Sequence, residues 1–190
     1  MTLVIILVIL AAIVAWVVGM YNSLVQGRNR VKNAWSQIDV QLQRRFDLIP
    51  NLVETVKGYM KHEEATLTKV TELRTSWANA TTVEQKVELD NQLSGALKTI
   101  MAVSENYPDL KANTNFLELQ NDLKDTENKV SYSRQFYNDT VTKYNDKVMM
   151  MPTSIVAGIF HFTEEPLYKV ETEEARQAVK VSFNDDKKAE

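Results

Sequence analysis

An uninterrupted apolar segment near the N-terminus constrains this chain more than any other feature. Leu3 to Val18 are sixteen consecutive apolar residues, and the first charged side chain is that of Arg28. As an α-helix, Leu3 to Tyr21 would be about 28 Å long, close to the ~30 Å hydrocarbon core of a bilayer. Because no polar stripe divides it, the segment predicts a lipid-facing span. The side chains predicted to face lipid are Leu3, Val4, Ile5, Ile6, Leu7, Val8, Ile9, Leu10, Ile13 and Trp16.

A cleaved signal peptide is the alternative interpretation of this segment. Signal peptides carry a basic start and an Ala-x-Ala-like cleavage site. Here Met1 and Thr2 contribute only the terminal amine, and Val17-x-Gly19 matches such a site poorly. We therefore favour an uncleaved anchor over residues 1–21.

Basic residues flank the span on one side. Arg28, Arg30 and Lys32 follow it, whereas no Lys or Arg precedes it. The positive-inside rule then predicts a cytoplasmic C-terminal part and an N-terminus outside. The same three side chains are expected to lie near anionic lipid headgroups.

The rest of the chain predicts helices. Apolar residues recur in alternating steps of three and four, which is typical of packed helices of coiled-coil type. We expect four antiparallel helices in one bundle over residues 22–162, followed by a charged, largely irregular tail over 163–190 with a short extended piece at Val179–Phe183. The expected helices are Tyr21 to about Gly58–His62 with a kink near Phe46–Pro50, Glu63–Asn79, a third that starts at the capping box Thr82-x-x-Gln85 and ends at Asn106–Asp109, and a fourth from Asn113–Asn115 to just before Pro152.

An apolar segment follows the fourth helix. If that helix runs antiparallel to the first, it returns to the membrane, and residues 149–162 then lie at headgroup level. The alternative is that the segment folds back over the open end of the bundle core, and the pattern favours neither. Its candidate interaction residues are Met149, Met150, Met151, Ile155, Ile159, Phe160 and Phe162.

Two adjacent arginines form another candidate interaction site. Arg44 and Arg45 could bind an acidic group, although such a pair more often belongs to a solvated face. Arg45 lies in register with the apolar stripe, so a buried Arg45 would need a carboxylate partner.

Composition argues against most catalytic chemistry. The chain has no cysteine and only two histidines, His62 and His161, and neither begins or ends a metal-binding motif. We find no glycine-rich phosphate loop and no G-x-S-x-G motif. A net charge of −3 argues against nucleic-acid binding. We therefore predict no catalytic, cofactor-binding or metal-binding residue.

Several motifs together resemble the LemA family. They are Asn33-Ala34-Trp35-Ser36-Gln37-Ile38-Asp39, Asp47-Leu48-Ile49-Pro50-Asn51-Leu52-Val53, Glu105-Asn106-Tyr107-Pro108 and Arg134-x-Phe136-Tyr137-Asn138. The resemblance extends from the anchor to about Phe162. It implies a membrane span and a helical bundle of unestablished activity in the bacterial inner membrane, and it brings no catalytic residue. Magnetosome-associated relatives suggest a role in membrane organisation.

These observations favour a non-enzymatic protein that self-associates and organises or shapes the membrane. Its expected partners are the lipid bilayer and other copies of itself. The alternative is an adaptor that presents its bundle to another membrane protein, such as a protease or transporter. An enzyme with a pocket between helices ranks third.

Overall fold

A computed structural model describes residues 1–60 and 62–169, and this part of the chain is all-α. The predicted all-α fold with a long apolar helix at its start is confirmed. The predicted extended piece at Val179–Phe183 lies outside the described residues. The helices are α1 Thr2–Asp47, α2 Ile49–Lys57, α3 Glu64–Asn79, α4 Val83–Ser104, α5 Pro108–Lys111, α6 Thr114–Met149 and α7 Thr153–Ile159.

The first helix is interrupted where the sequence contains proline. Proline lacks a backbone N–H, and its ring collides with the preceding helical turn. Accordingly α1 ends at Asp47, and Pro50 lies in the first turn of α2. Leu48 between them keeps helical dihedral angles, φ −76° and ψ −19°. No loop therefore separates the two helices, and the interruption falls where the kink is predicted.

Helices α3 and α4 form an antiparallel hairpin. At its turn, the Thr82 hydroxyl accepts a hydrogen bond from the Gln85 backbone N–H at 3.2 Å, and the Gln85 side chain accepts one from the Thr82 N–H at the same distance. This is the predicted capping box. At the far end of the hairpin, the Tyr107 hydroxyl donates to the Glu63 carboxylate at 3.0 Å.

Helix α6 runs antiparallel to α1 over most of its length. It begins after Asn113, whose side chain accepts from the Phe116 N–H at 3.1 Å. Going back toward the apolar end of α1, Glu127 pairs with Arg45, Tyr137 contacts Trp35, and Lys147 reaches Ser23. The C-terminal end of α6 therefore lies beside the end of the apolar segment.

Most positions of the predicted apolar stripes are buried, and a few, such as Val87 and Leu119, are half-buried. Tyr59, which the step of three after Val56 places in the stripe, is instead 36% exposed, and Met60 is buried in its place. The helical spacing no longer sets the direction of these side chains, because α2 ends at Lys57. The buried residues that the spacing predicts correctly include Val31, Ile38, Leu42, Ile49, Leu52, Val56, Leu67, Val70, Leu73, Trp77, Leu93, Leu97, Ile100, Phe116, Leu123, Val130, Tyr137 and Tyr144.

Residues 163–169, which we call the strap, follow α7 and lie along α6. The sequence predicts an irregular tail from residue 163, and the strap indeed has no regular secondary structure. It nevertheless packs against the helices, since Tyr168 is only 3% exposed and belongs to the core.

Candidate functional site

The N-terminal part of α1 has the exposure expected of a membrane span. The segment has a mean hydropathy of 3.1, is long enough to cross a bilayer, and has none of its most apolar stretch buried within the protein. Water would be a poor solvent for so large an apolar surface. All ten side chains predicted to face lipid are at least half exposed: Leu3, Val4, Ile5, Ile6, Leu7, Val8, Ile9, Leu10, Ile13 and Trp16.

Helix α7 packs against α1 where the apolar segment ends. Val156 and Ala157 are buried against Leu24 in a small separate core. Val17, Met20, Val148 and Phe162 pack around this core. The contact with α1 that a fold-back of residues 149–162 requires is therefore present on one face of α7.

Aromatic rings extend this contact along α1. The Tyr21 ring lies edge-on to Phe160 and Phe162, with centroid distances of 4.8 and 5.6 Å. Of the residues predicted as an interaction surface in this segment, only Phe162 is half-buried. Those that stay largely exposed are Met149, Met150, Met151, Ile155, Ile159 and Phe160.

The basic residues after the span lie on exposed positions of α1. Arg28 forms an ion pair with Glu165 of the strap, with 3.5 Å between Nε and Oε1. Arg30 and Lys32 are exposed. On the neighbouring helix, Lys147 Nζ donates to the Ser23 hydroxyl at 3.0 Å. The side chains expected near headgroups thus lie about three to four helical turns beyond Val18.

Arg44 and Arg45 have opposite environments. Arg44 is exposed, as a solvated face predicts, whereas that interpretation is wrong for Arg45, which is 4% exposed. The Arg45 guanidinium lies 2.7 Å from the Asp90 carboxylate and 2.5 Å from that of Glu127. A buried guanidinium needs such partners because removing its charge from water is unfavourable. The expected carboxylate partner is therefore present.

Asp90 holds together a buried polar cluster, which consists of Arg45, Asp90, Glu127, Arg134 and Tyr168. The Asp90 side chain is fully buried and bonds to both guanidinium groups and to the Tyr168 hydroxyl. Two positive and two negative charges give the cluster no net charge. It joins α1, α4 and α6 to the strap and so fixes their register.

The environment of the cluster shifts two pKa values. Burial raises the pKa of Tyr168, and the adjacent Asp90 carboxylate raises it further. Burial alone would lower the pKa of Arg134, but the charge and hydrogen bond of Asp90, together with Tyr168 and the charge of Glu127, raise it overall. Tyr168 therefore stays protonated and donates, while Arg134 stays charged.

Two Tyr-Asn pairs on α6 hold the strap. Asn138 donates to the Tyr168 carbonyl at 3.1 Å and accepts from the Tyr168 N–H at 2.8 Å. Asn145 makes the same pair of hydrogen bonds with Glu165, both at 2.9 Å. The hydroxyls of the preceding tyrosines, Tyr137 and Tyr144, donate to strap carbonyls. Side chains thus satisfy a backbone that has no secondary structure of its own.

Sequence reasoning missed Asp90, Arg134 and the strap contacts, although signals for them exist. Asp90 lies between Val87 and Leu93 at a position where the apolar stripe of α4 expects a core residue. The tripeptide Tyr-Asn-Asp occurs at 137–139 and again at 144–146, one heptad apart. A repeat at that spacing places both copies on one face of a helix.

The described residues contain no evident catalytic centre. Across 1–60 and 62–169, no group of three or more His, Asp or Glu side chains is placed to hold a metal ion. His62 is exposed at the start of the turn before α3. Asp90 is sealed from solvent, and its contacts are the ion pairs and hydrogen bonds of the buried polar cluster.

Comparison with known proteins identifies the family. A family model for LemA matches residues 34–183, which is most of the chain. The chain belongs to the LemA family. The resemblance that its motifs indicate is therefore confirmed.

Curated relatives extend this result. Protein LemA of Metamycoplasma hominis is 29% identical over 168 residues, covering 84% of this chain and 77% of that protein. Two proteins of Paramagnetospirillum magneticum, named magnetosome proteins MamQ 1 and MamQ 2, are each 23% identical over 177 residues. Those alignments cover 80% of this chain and 65% of each magnetosome protein, slightly less than two thirds of their length.

Proposed function

We propose that this LemA-family chain is a non-enzymatic membrane scaffold that self-associates and organises the bacterial inner membrane. The observation that carries the proposal is the continuity of α1, which runs from the apolar segment into the helical core without a break before Asp47. Because one helix belongs to both the span and the helical core, the orientation of the span in the membrane also sets the orientation of the core. The similarity to magnetosome proteins supports a role in membrane organisation.

An uncleaved anchor agrees with the packing of α7. Cleavage near Gly19 would cut within α1 and remove Val17, which packs against the small core of Val156 and Ala157. The exposed basic residues Arg28, Arg30 and Lys32 favour a cytoplasmic domain with the N-terminus outside.

We propose that copies contact each other through a groove between α1 and α6, on the side opposite the strap. The groove has a volume of about 500 Å³, and its lining includes the apolar Ala34 and Phe136 beside charged residues such as Arg30 and Asp146. Tyr132, one helical turn before Phe136 and so on the same face of α6, is 74% exposed. Parallel anchors hold every copy at one height, which allows this face to meet the same face on a neighbour in a two-fold contact.

The mass of the full-length protein in mild detergent tests self-association. Light scattering on a sizing column should give a discrete homomer. Tyr132→Ser combined with Phe136→Ser should shift it to the monomer. Leu117→Ser, at a 44% exposed site near the distal start of α6, is the matched control and should leave the mass unchanged. A wild-type monomer would overturn the proposal.

A second groove favours the adaptor alternative. It lies between α2 and α3, far from the apolar segment, and has a volume of about 780 Å³. Val53, Met60 and Leu67 give it an apolar lining. If the protein is monomeric, the adaptor function would be supported by a membrane protein that copurifies with the wild type. That protein should no longer copurify with the Val53→Glu variant.

A further inference from the structure

The outer face of α7 has no partner within the described part of the chain. The helix turns Val156 and Ala157 toward α1, and its remaining large side chains are half or more exposed, including Ile155 at 53% and Ile159 at 64%. Met150 and Met151, in the turn just before α7, are exposed to a similar degree. Together these residues form a continuous apolar surface that water solvates poorly.

The position of α7 indicates what covers this surface. Its inner face packs on Val17, Met20 and Leu24, which are the last turns of the apolar segment of α1 and the residues just after it. The outer face of α7 is therefore continuous with the lipid-exposed surface of the span. A helix at this height lies at the boundary between acyl chains and headgroups when the span crosses the bilayer.

The chemistry of the segment fits that boundary. No Asp, Glu, Lys or Arg occurs from residue 148 through 163, so insertion dehydrates no formal charge. Lys143 and Lys147 precede this interval on α6, and Glu164 and Glu165 follow it, with Glu165 paired to Arg28 of α1. An uncharged apolar surface with lysines at its N-terminal border matches the interface of a leaflet with anionic headgroups.

We infer that α7 inserts its outer face into the leaflet on the domain side and serves as a second lipid-binding site beside the span. The inference rests on the membrane placement in the proposed function but not on self-association. A single span leaves a protein free to rotate about its axis, whereas a lateral contact fixes which side of the domain faces the membrane. Insertion also adds area to one leaflet only, which is a direct way to bend a bilayer.

Single spin labels on the full-length chain test the inference. The sequence has no cysteine, so a label at Ile155→Cys or Ile159→Cys reports one site. The protein is reconstituted in vesicles of phosphatidylethanolamine and phosphatidylglycerol. Collision with oxygen, which enters lipid, is compared with collision with a water-soluble nickel chelate. Leu10→Cys in the span is the lipid reference, and Leu117→Cys on distal α6 is the water reference.

We expect labels at 155 and 159 to collide preferentially with oxygen, as the label at 10 does. Collision with the nickel chelate equal to that at 117 would overturn the inference. Protection from both reagents would also overturn it, because it would place a protein against α7. Repeating the measurement after dilution with excess lipid separates self-association from insertion of α7. If the diluted protein is monomeric and its α7 labels still contact lipid, self-association is contradicted and insertion is not.

Discussion

The two ends of the helical domain are built differently. In the half far from the apolar segment, α3 and α4 pack on α2 and the end of α1, and Phe46 stacks on Trp77 with centroids 4.5 Å apart. In the half near that segment, α1 and α6 pair with each other, and the strap covers one side of the pair. The distal half therefore buries most of its apolar residues within the chain, with Tyr59 and Leu117 partly exposed, while the proximal half leaves Tyr132, Phe136 and the outer face of α7 exposed.

This difference separates stability from function. One continuous core runs through both halves, so substitutions of its buried residues should change the free energy of unfolding. Exposed apolar residues of the proximal half contribute little within one chain, so changing them should affect contacts with lipid or with another copy. The buried polar cluster lies where the two halves meet and belongs to both.

The largest effect should come from Asp90→Ala. The substitution leaves Arg45 and Arg134 without their common buried carboxylate, and breaking a buried ion pair from one side typically costs about 3–5 kcal/mol. Denaturant unfolding in detergent, followed by circular dichroism, would measure the loss. Asp125→Ala, which removes an exposed partner of Lys129, is the control and should cost less than about 1 kcal/mol. Equal effects would show that the cluster does not join the two halves.

An alkaline pH titration should give a smaller effect at the same boundary. Burial raises the pKa of Tyr137 to about 12, with further contributions from the negative charges of Glu165 and Glu84. The unfolded chain loses this proton near the ordinary pKa of 10, so the folded state holds more protons between these values. The contribution to stability is complete below pH 10 and is lost as pH rises toward 12, by at most about 1.4 kcal/mol per pH unit.

Tyr137→Phe should make that pH dependence shallower. Tyr168 and Tyr144 also have raised pKa values, so part of the slope should remain. Tyr132→Phe, at a 74% exposed position, is the matched control. Unfolding midpoints across the alkaline range would compare the three proteins, and identical slopes for wild type and Tyr137→Phe would contradict the assignment.

Much of the fold could be predicted because helical periodicity is a local property. The proline at position 50, the capping box at Thr82 and the long apolar stripe of α6 each determine structure within a few residues along the chain. The sequence could predict that Arg45 needs a carboxylate partner if it is buried, because this residue lies in register with the apolar stripe. The identity of that partner could not, because Asp90 is 45 residues away along the chain and the pairing depends on tertiary packing.

The strap shows the same limit more clearly. Its backbone is held by side chains of α6 and not by a periodic hydrogen-bond ladder, so no pattern within 163–169 indicates a packed segment. The repeated Tyr-Asn pair is visible in the sequence, but a helix can use such a repeat for many purposes. Similarly, the buried and exposed faces of α7 are distinguished only once α1 and α6 pack against it.

Two glycines compare the halves most directly and should give the smallest effects. Both lie inside helices, where alanine is favoured by about 0.5–1 kcal/mol. A methyl group at Gly95, in the distal half, meets nothing within 4 Å, so Gly95→Ala should stabilise the fold by about that amount.

At Gly27, in the proximal half, the methyl group would lie 3.0 Å from the buried ring of Tyr144. Overpacking of this kind costs about 1–3 kcal/mol, so Gly27→Ala should destabilise by about 1 kcal/mol. Unfolding midpoints that move in opposite directions would confirm that α1 and α6 pack closely here, and a stabilising Gly27→Ala would show that the proximal pair is loose.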